Sequence, residues 1–200
     1  MTPFNTLQKY TTIGASYNPW ERESDDASTC LEGTREDIIK EILTWVWGNN
    51  NFLICWLEGH AGSGKSTVTH TIAKYCTDNQ QLAGSFFFSR EMHGRSDTTK
   101  IFPMFAYQLA SFLPVIQLSM THAITNDPSI PFQTLGDQIK KLIVNPILAM
   151  RESIPSMSVT EPTSSMIIII VNVVAMQVSY RSSFGFSLIL HIRSHFGFSL

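Results

Sequence analysis

Residues 59–66 read GHAGSGKS, which is a glycine, four further residues, and then Gly-Lys-Ser. The apolar run FLICWL, at 52–57, comes directly before this stretch and has the length of a strand buried on both faces. The segment KSTVTHTIAKYCTDN, at 65–79, carries apolar residues at helical spacing. A glycine-rich turn between a strand and a helix is the setting that a phosphate-binding loop requires. The pattern therefore predicts such a loop in preference to a chance match in a turn rich in Gly and Ser.

The residue types of this loop suit the binding of a nucleotide's phosphates. Gly59, Gly62 and Gly64 let the main chain curl tightly and approach an anion without clashes from a Cβ atom. The amino end of the following helix adds the positive end of its dipole. Lys65 is expected to reach the β- and γ-phosphates as a point charge, and the Ser66 hydroxyl to bind Mg²⁺. The expected ligands are therefore ATP or GTP, together with Mg²⁺.

Composition restricts the classes of partner and the compartment. The chain has 200 residues, 44% of them hydrophobic and 15% charged, which favours one packed domain over disorder. The formal net charge of −2 gives no reason to expect nucleic acid or a membrane as a partner. Cys30, Cys55 and Cys76 form no C-x-x-C pair, and the first residues contain no signal-peptide core. A reducing, cytoplasmic location is therefore expected.

The chain alternates between helix-like and strand-like segments. Thr34 is the expected N-cap of the first helix, and Pro146 is expected to end the last one. Strands separated by helices imply parallel βαβ units, and hence an α/β fold with a parallel sheet flanked by helices. Helices are expected at 33–49, 65–79, 99–113, 115–125 and 134–145, and strands at 52–57, 83–89 and 166–175.

Changes in composition along the chain predict its domain organisation. The expected segments are a polar lead-in at 1–32, the nucleotide-binding domain at 33–150, a linker rich in Ser, Thr and Pro at 151–165, the third strand at 166–175, and a tail at 176–200. The tail contains a near-repeat, RSSFGFSL and then RSHFGFSL, which is too short for a solenoid.

The apolar run MIIIIVNVVAMQV, at 166–178, has two interpretations. A spanning helix needs about 20 apolar residues, and this run is shorter and is interrupted by Asn172. It is also rich in β-branched residues, which favour strands. A buried strand is therefore preferred over a membrane span.

Six segments, in this order along the chain, carry a resemblance to one known family: CLEGTREDIIKEILTWV (30–46), ICWLEGHAGSGKSTVTHTIA (54–73), LAGSFFFSR (82–90), FPMFAYQLA (102–110), AITNDPSI (123–130) and LGDQIKKLIVNPI (135–147). The series resembles the NACHT or nephrocystin-type N-terminal domain of fungal NLR-like proteins, which belong to the STAND class of signalling NTPases. The resemblance covers about residues 14–150. It implies a P-loop NTPase-type sheet and a switch in which the binding and hydrolysis of ATP or GTP control assembly, so related NTPase domains are expected partners in a homo- or hetero-oligomer.

The resemblance also carries over individual residues. The segment Gly33–Arg35 matches one that lies near the nucleotide base in related folds, and Arg90 matches an arginine after the second strand. An ordinary solvent-exposed arginine is an equally weighted interpretation of Arg90. The residues that match the family's phosphate loop, and are the candidate nucleotide-binding set, are Gly59, His60, Ala61, Gly62, Ser63, Gly64, Lys65, Ser66 and Thr67.

The chain departs from the family after its third strand. The family places Asp-Ala-Leu-Asp-Glu-Cys there, to hold Mg²⁺ and support water activation, whereas this chain has NVVAMQVSYRSS and no Asp or Glu after Glu161. Mg²⁺ prefers carboxylate and phosphate oxygens, so hydrolysis is expected to be weak or lost, and no residue is assigned a catalytic role. The sheet is expected to be incomplete, with its later strands missing by C-terminal truncation.

Other interpretations stay open. A change of reading frame near Ile170 would explain the tail, because codons for Val-Asn-Val-Val-Ala-Met-Gln can encode Glu-Cys in another frame. A competent NTPase could take its acids from Glu91, Asp97 or a partner chain. The remaining alternatives are a non-enzymatic interaction or decoy module that docks on full-length relatives, and a truncated product with no independent role.

Overall fold

The computed structural model describes residues 7–12, 14–17, 29–47, 54–60, 62–88, 95, 97–153, 166–173 and 186–192. Contacts within the chain divide it into two compact units. One comprises residues 1–13 and 90–163 and is called the helical unit; the other comprises residues 14–89 and 164–200 and is called the sheet unit. The range 33–150, predicted as one domain, contains parts of both.

The sheet unit contains a four-stranded sheet and two helices. One helix precedes the first strand in the chain, and the other connects the first strand to the second. The order of strands in the sheet is β1-β4-β3-β2, and each neighbouring pair is parallel. Because all four strands run in one direction, their carboxyl ends lie at one edge of the sheet. In chain order the elements are α1 (Glu36–Trp47), β1 (Ile54–Leu57), α2 (Lys65–Asp78), β2 (Leu82–Phe87), β3 (Met166–Val173) and β4 (Phe186–Ile192).

Strand β4 corrects the prediction that the later strands are missing. It lies between β1 and β3, with Ile54 in register with Leu188 and Leu57 in register with His191. The segment FSLILHI is apolar at five of its seven positions, as expected of a strand with neighbours on both sides. The sequence predicts only a tail at 176–200, so β4 is an element that the sequence patterns miss.

One buried cluster holds the helices of the sheet unit against its strands. Its residues are Ile42, Val46, Leu57, Val68, Ile72, Ala73, Cys76 and Phe87, none more than 7% exposed. In α1, Ile42 and Val46 are four residues apart and therefore share one face of the helix. Leu57 brings the end of β1 into the same cluster, so the start of the following loop is anchored to the core.

The beginning of α1 differs from its prediction. The hydroxyl of Thr34 donates to the Leu31 carbonyl at 2.6 Å, which is a turn contact and not a cap. The Arg35 carbonyl accepts from the amide of Ile39 at 3.0 Å, so Arg35 is the residue that opens the helix. The prediction of Thr34 as N-cap is wrong, because the chain needs one more residue to turn into the helix.

The helical unit consists of short helices joined by tight turns. Its buried side chains include Phe105, Leu109, Met120 and Leu142, none more than 2% exposed, which come from three different segments. In chain order the elements are a 3₁₀ turn (Thr98–Lys100), α3 (Ile101–Phe112), a 3₁₀ turn (Pro114–Ile116), α4 (Gln117–Asn126), a 3₁₀ turn (Ile130–Phe132), α5 (Leu135–Ile139), a π-helical turn (Lys140–Val144) and α6 (Asn145–Ser153).

Pro146 does not end the helical segment, contrary to its prediction. The π-helical turn precedes it, and the amide of Asn145 donates to the carbonyl of Lys140, five residues back. Pro146 is then the second residue of α6, in a first turn where a missing N–H group is tolerated. The wider turn therefore lets the chain continue past the proline as a helix.

Helices α3 and α4 have 12 and 10 residues. No single helix in the described part of the chain is long and apolar enough to cross a membrane. The stretches Thr98–Phe112 and Pro114–Asn126 meet those criteria only as a pair, and a bend of 119° separates them. In α3, Pro103 lies in the first turn, where the missing N–H group of proline is tolerated.

Candidate phosphate-binding loop

The glycine-rich stretch forms the connection between β1 and α2 in the sheet unit. Strand β1 ends at Leu57, whose side chain is 7% exposed, and α2 begins at Lys65. The loop therefore leaves the carboxyl edge of a parallel sheet, which is where ligands bind in open α/β sheets. Ala61, one of the nine predicted loop residues, lies outside the described residues.

Two backbone conformations and one close approach distinguish the glycines of the loop. Gly62 and Gly64 have φ angles of +77° and +81°, a left-handed conformation that costs other residues about 1–2 kcal/mol. A Cβ atom at Gly59 would lie 2.9 Å from the Oγ of Ser63, so a side chain there would make the Ser63 hydroxyl shift. The backbone conformation therefore favours glycine at 62 and 64, and close packing favours it at 59.

The side chain of Lys65 reaches back across the loop. Its ammonium donates to the carbonyl oxygens of Gly59 and His60, both at 2.6 Å, and lies 3.4 Å from the Oγ of Ser63. Lys65 is only 7% exposed, although it follows a loop on the surface. These bonds tie the end of the loop to its beginning, and they place a positive charge inside the curve of the main chain.

The amino end of α2 has no side-chain cap. Its N-cap is Gly64, which has no side chain to accept a hydrogen bond from the first turn. The first bond within the helix runs from the amide of Val68 to the carbonyl of Gly64, at 2.9 Å. The N–H groups before Val68 have no partner within the helix, and they carry the positive end of its dipole. The first turn also contains no acidic residue that would oppose a phosphate.

Arg35 contacts the loop from the start of α1. Its Nη2 donates to the carbonyl of Ser63 at 3.1 Å, across 28 positions of the chain. Its φ angle is +58°, which is unusual for a residue with a side chain. The resemblance places Gly33–Arg35 near the nucleotide base, whereas the contact observed is with the loop backbone. No local pattern predicts this contact, because it joins two segments that are distant in sequence.

The remaining predicted residues have different environments. Ser66 is half-buried in the first turn of α2, and the Thr67 carbonyl accepts from the hydroxyl of Thr71 at 2.9 Å within that helix. His60 is exposed, and its carbonyl is the part that contacts Lys65. Among the described residues no group of three or more His, Cys, Asp or Glu could hold a metal ion.

Of Glu91 and Asp97, the two acids that a competent NTPase could use, only Asp97 lies among the described residues. Asp97 accepts from the Thr99 amide at 2.9 Å and from its hydroxyl at 2.6 Å. These bonds hold the pKa of Asp97 below its usual range, and they cap the 3₁₀ turn of the helical unit. Asp97 therefore already has a structural role. Arg90 and Glu91 lie outside the described residues.

A cleft of about 680 Å³ opens elsewhere in the sheet unit. Its walls come from residues 30–34 and from facing sides of α1 and α2, including Trp47, Thr71 and Tyr75. Its volume is in the range of small-molecule pockets, but its lining residues do not include the described residues of 59–67. The loop is therefore not the floor of this cleft.

Comparison with known proteins gives one match. The model of the family described as nephrocystin 3, N-terminal, matches residues 33–159, which is more than half of the 200-residue chain. The chain therefore belongs to the nephrocystin 3 N-terminal family, and the nephrocystin-type part of the predicted resemblance is confirmed. Neither a curated protein nor a solved structure matches the chain. The matched range contains the whole loop and Arg35.

Proposed function

We propose that this protein binds a nucleoside triphosphate, ATP or GTP, through residues 59–67, as a P-loop NTPase-type α/β domain. One observation carries the proposal. The Lys65 ammonium bridges the carbonyls of Gly59 and His60 at the amino end of α2, where no side chain caps the helix. A buried cation, the positive end of a helix dipole and a tightly curled main chain together favour a phosphate ligand.

Five of the loop residues are given a part in this binding. Lys65 would supply positive charge to the β- and γ-phosphates, and Gly62 and Gly64 would allow the main-chain N–H groups to approach them. The Ser66 hydroxyl would hold Mg²⁺, which would neutralise charge on the phosphate oxygens. Thr67 continues the helix and supports its first turn.

Binding is proposed to exceed turnover. The chain has no Asp or Glu after Glu161, and Asp97 is engaged in capping. Without a carboxylate to position water and hold the metal, stabilisation of the transition state is poor. The proposed role is therefore a nucleotide-holding part of a NACHT-like, STAND-type switch of the fungal NLR-like kind, acting in the cytoplasm, with related domains as its partners.

The test is calorimetric titration of the purified full chain with ATP and with GTP, with and without Mg²⁺. Lys65→Ala should weaken binding at least about 100-fold, equivalent to about 3 kcal/mol, because a buried hydrogen-bonded charge is removed. Ser66→Ala should abolish most of the Mg²⁺ dependence. The control is Lys74→Ala on the same helix, whose exposed ammonium contacts Asp78 at 2.7 Å.

The proposal has three parts, which are the site, the binding of nucleotide and the weakness of hydrolysis, and a different result would contradict each. Equal binding by wild type and Lys65→Ala would remove the loop as the site. No binding by the wild type would overturn nucleotide binding altogether. Rapid release of phosphate that depends on both Mg²⁺ and Lys65 would leave the site in place and overturn the proposed weakness of hydrolysis.

A further inference from the structure

Arg35 combines an uncommon backbone conformation with a contact to the candidate loop. Among the described residues other than glycine, Arg35 and Gln80 have positive φ angles, of +58° and +56°. The backbone of Arg35 opens α1 by accepting from Ile39, while its guanidinium donates to Ser63. The same residue therefore joins the start of a helix to the second half of the loop.

The bonded carbonyl belongs to a peptide unit that also carries a loop N–H group. The carbonyl of Ser63 and the N–H of Gly64 share one planar peptide, and none of the described peptides is cis. In a trans peptide these two groups point in opposite directions. Holding the carbonyl toward Arg35 therefore turns the N–H of Gly64 away from Arg35.

We propose that Arg35 is a positioning residue that fixes the Ser63–Gly64 peptide so that the Gly64 N–H faces a bound phosphate. This inference rests on the proposed binding of nucleotide by the loop. A Cβ atom at Gly64 would lie 4.0 Å from Nη2 of Arg35, so the guanidinium is packed beside this peptide as well as bonded to it. Arg35 is exposed, and its contact with the peptide is the directed bond from its guanidinium.

One substitution at Arg35 changes both its side chain and its backbone, so a control at another residue with a positive φ is needed to separate the two effects. Glycine adopts a positive φ without strain, so Arg35→Gly removes the guanidinium and relaxes the backbone at once. Gln80→Gly relaxes a backbone of nearly the same φ just after the end of α2, and is the matched control. Arg35→Lys keeps the charge but offers a compact ammonium on a flexible stem in place of a planar donor.

The first measurement is affinity for Mg²⁺-ATP by calorimetry. Arg35→Gly should bind about tenfold more weakly, the usual effect of losing one hydrogen bond from a charged donor. Gln80→Gly should bind like the wild type, and Arg35→Lys should lie between the two. Guanidinium chloride at about 20 mM, far below unfolding concentrations, should restore binding to Arg35→Gly and leave Gln80→Gly unchanged.

The second measurement is the NMR order parameter of the Gly64 amide in protein without nucleotide. A fixed peptide should give a value of about 0.85, and Arg35→Gly should lower it below about 0.6. Gln80→Gly should not change it. This measurement does not require nucleotide binding, so it tests the contact between Arg35 and the loop independently.

The outcomes distinguish the two proposals. Unchanged affinity in Arg35→Gly overturns the inference and leaves nucleotide binding intact. Weaker affinity with an unchanged Gly64 order parameter also overturns it, because Arg35 would then act on the nucleotide directly. If the wild type binds neither ATP nor GTP, the proposed function fails. The inferred role toward a phosphate then fails with it, and the order parameter decides only whether Arg35 fixes the Ser63–Gly64 peptide: a loss confined to Arg35→Gly supports that contact, and equal values overturn it.

Discussion

The glycine-rich loop of the sheet unit and the turn after α4 in the helical unit are both held closed by a lysine, but in different ways. In the loop, Lys65 donates to main-chain carbonyls, and glycines provide the curvature. In the turn after α4, Lys141 donates to the carboxylate of Asp127 at 3.0 Å and to the Oε1 of Gln133 at 2.8 Å. The first site is built from backbone, and the second from side chains.

Asp127 is the centre of the second site. Its carboxylate accepts from the Ser129 hydroxyl at 2.5 Å and from the Gln133 Nε2 at 2.9 Å, in addition to Lys141. The bonds from Ser129, Gln133 and Lys141 together hold the pKa of Asp127 well below its usual range. The carboxylate thus has several donors already, and the turn has a structural role.

This difference predicts which property each site controls. A loop built from backbone leaves N–H groups for a ligand, so damage to it should appear mainly as lost binding. A turn built from side chains satisfies its own polar groups, so damage to it should appear mainly as lost stability. A substitution in the loop that changes mainly binding, or one in the turn that changes mainly stability, supports this difference. A substitution in either place that changes both properties contradicts it.

Gly64→Ala in the loop should have a larger effect than any of the changes in the helical unit. Gly64 has a φ of +81°, so alanine adds about 1–2 kcal/mol of strain there. The loop can relieve that strain by turning its N–H groups away, and nucleotide affinity should then fall about tenfold, which corresponds to 1.4 kcal/mol. Calorimetry with Mg²⁺-ATP measures the change. An affinity equal to the wild type, with unchanged Tm, would contradict the requirement for glycine.

Asp127→Ala should have the next largest effect, on stability alone. The substitution leaves Ser129, Gln133 and Lys141 without their common acceptor. The loss of a side chain that closes a turn should lower Tm by about 3–5 °C in calorimetry. Asp78→Ala, which removes an exposed partner of Lys74, is the control and should change Tm little. Weakened nucleotide binding in Asp127→Ala would break the separation of the two sites.

The contrast also explains how much of the candidate site could be predicted. The loop pattern consists of glycines and a lysine within eight adjacent residues, 59–66. The sequence therefore predicts where the turn between β1 and α2 lies. Those elements lie at Ile54–Leu57 and Lys65–Asp78, within the predicted ranges 52–57 and 65–79. Local patterns suffice there, because the structure depends on neighbours in the chain.

The sequence could not predict features that depend on distant contacts. The bond of Arg35 to Ser63 spans 28 positions, and β4 pairs on one side with β1, which is far from it in sequence. The π-helical turn at Lys140–Val144 is a local feature, but proline rules describe regular helices and so place the helix end at Pro146. These misses follow from tertiary context and from an uncommon helix geometry.

Acid should weaken the helical unit through Asp127. The pKa of Asp127 is lowered in the folded state, so the unfolded chain binds the proton more tightly. The resulting stability is fully present above the ordinary pKa of about 3.9, and is lost as the pH falls below that value. Thermal unfolding between pH 5 and pH 2 should show a decline in Tm that is shallower in Asp127→Asn. Equal slopes in both proteins would show that the bonds to Asp127 add no pH-dependent stability.

The smallest effect is expected from Gly136→Ala, which has the opposite sign to Gly64→Ala. Gly136 lies in α5, its φ is not positive, and an added Cβ would meet the Thr134 Oγ1 at an ordinary 3.9 Å. Alanine should therefore stabilise the helix by about 0.5 kcal/mol, because it reduces the freedom of the unfolded chain. Chemical denaturation measures this gain, and nucleotide affinity should stay unchanged. If Gly136→Ala destabilises the protein, the difference between the two glycines lies in packing and not in backbone conformation.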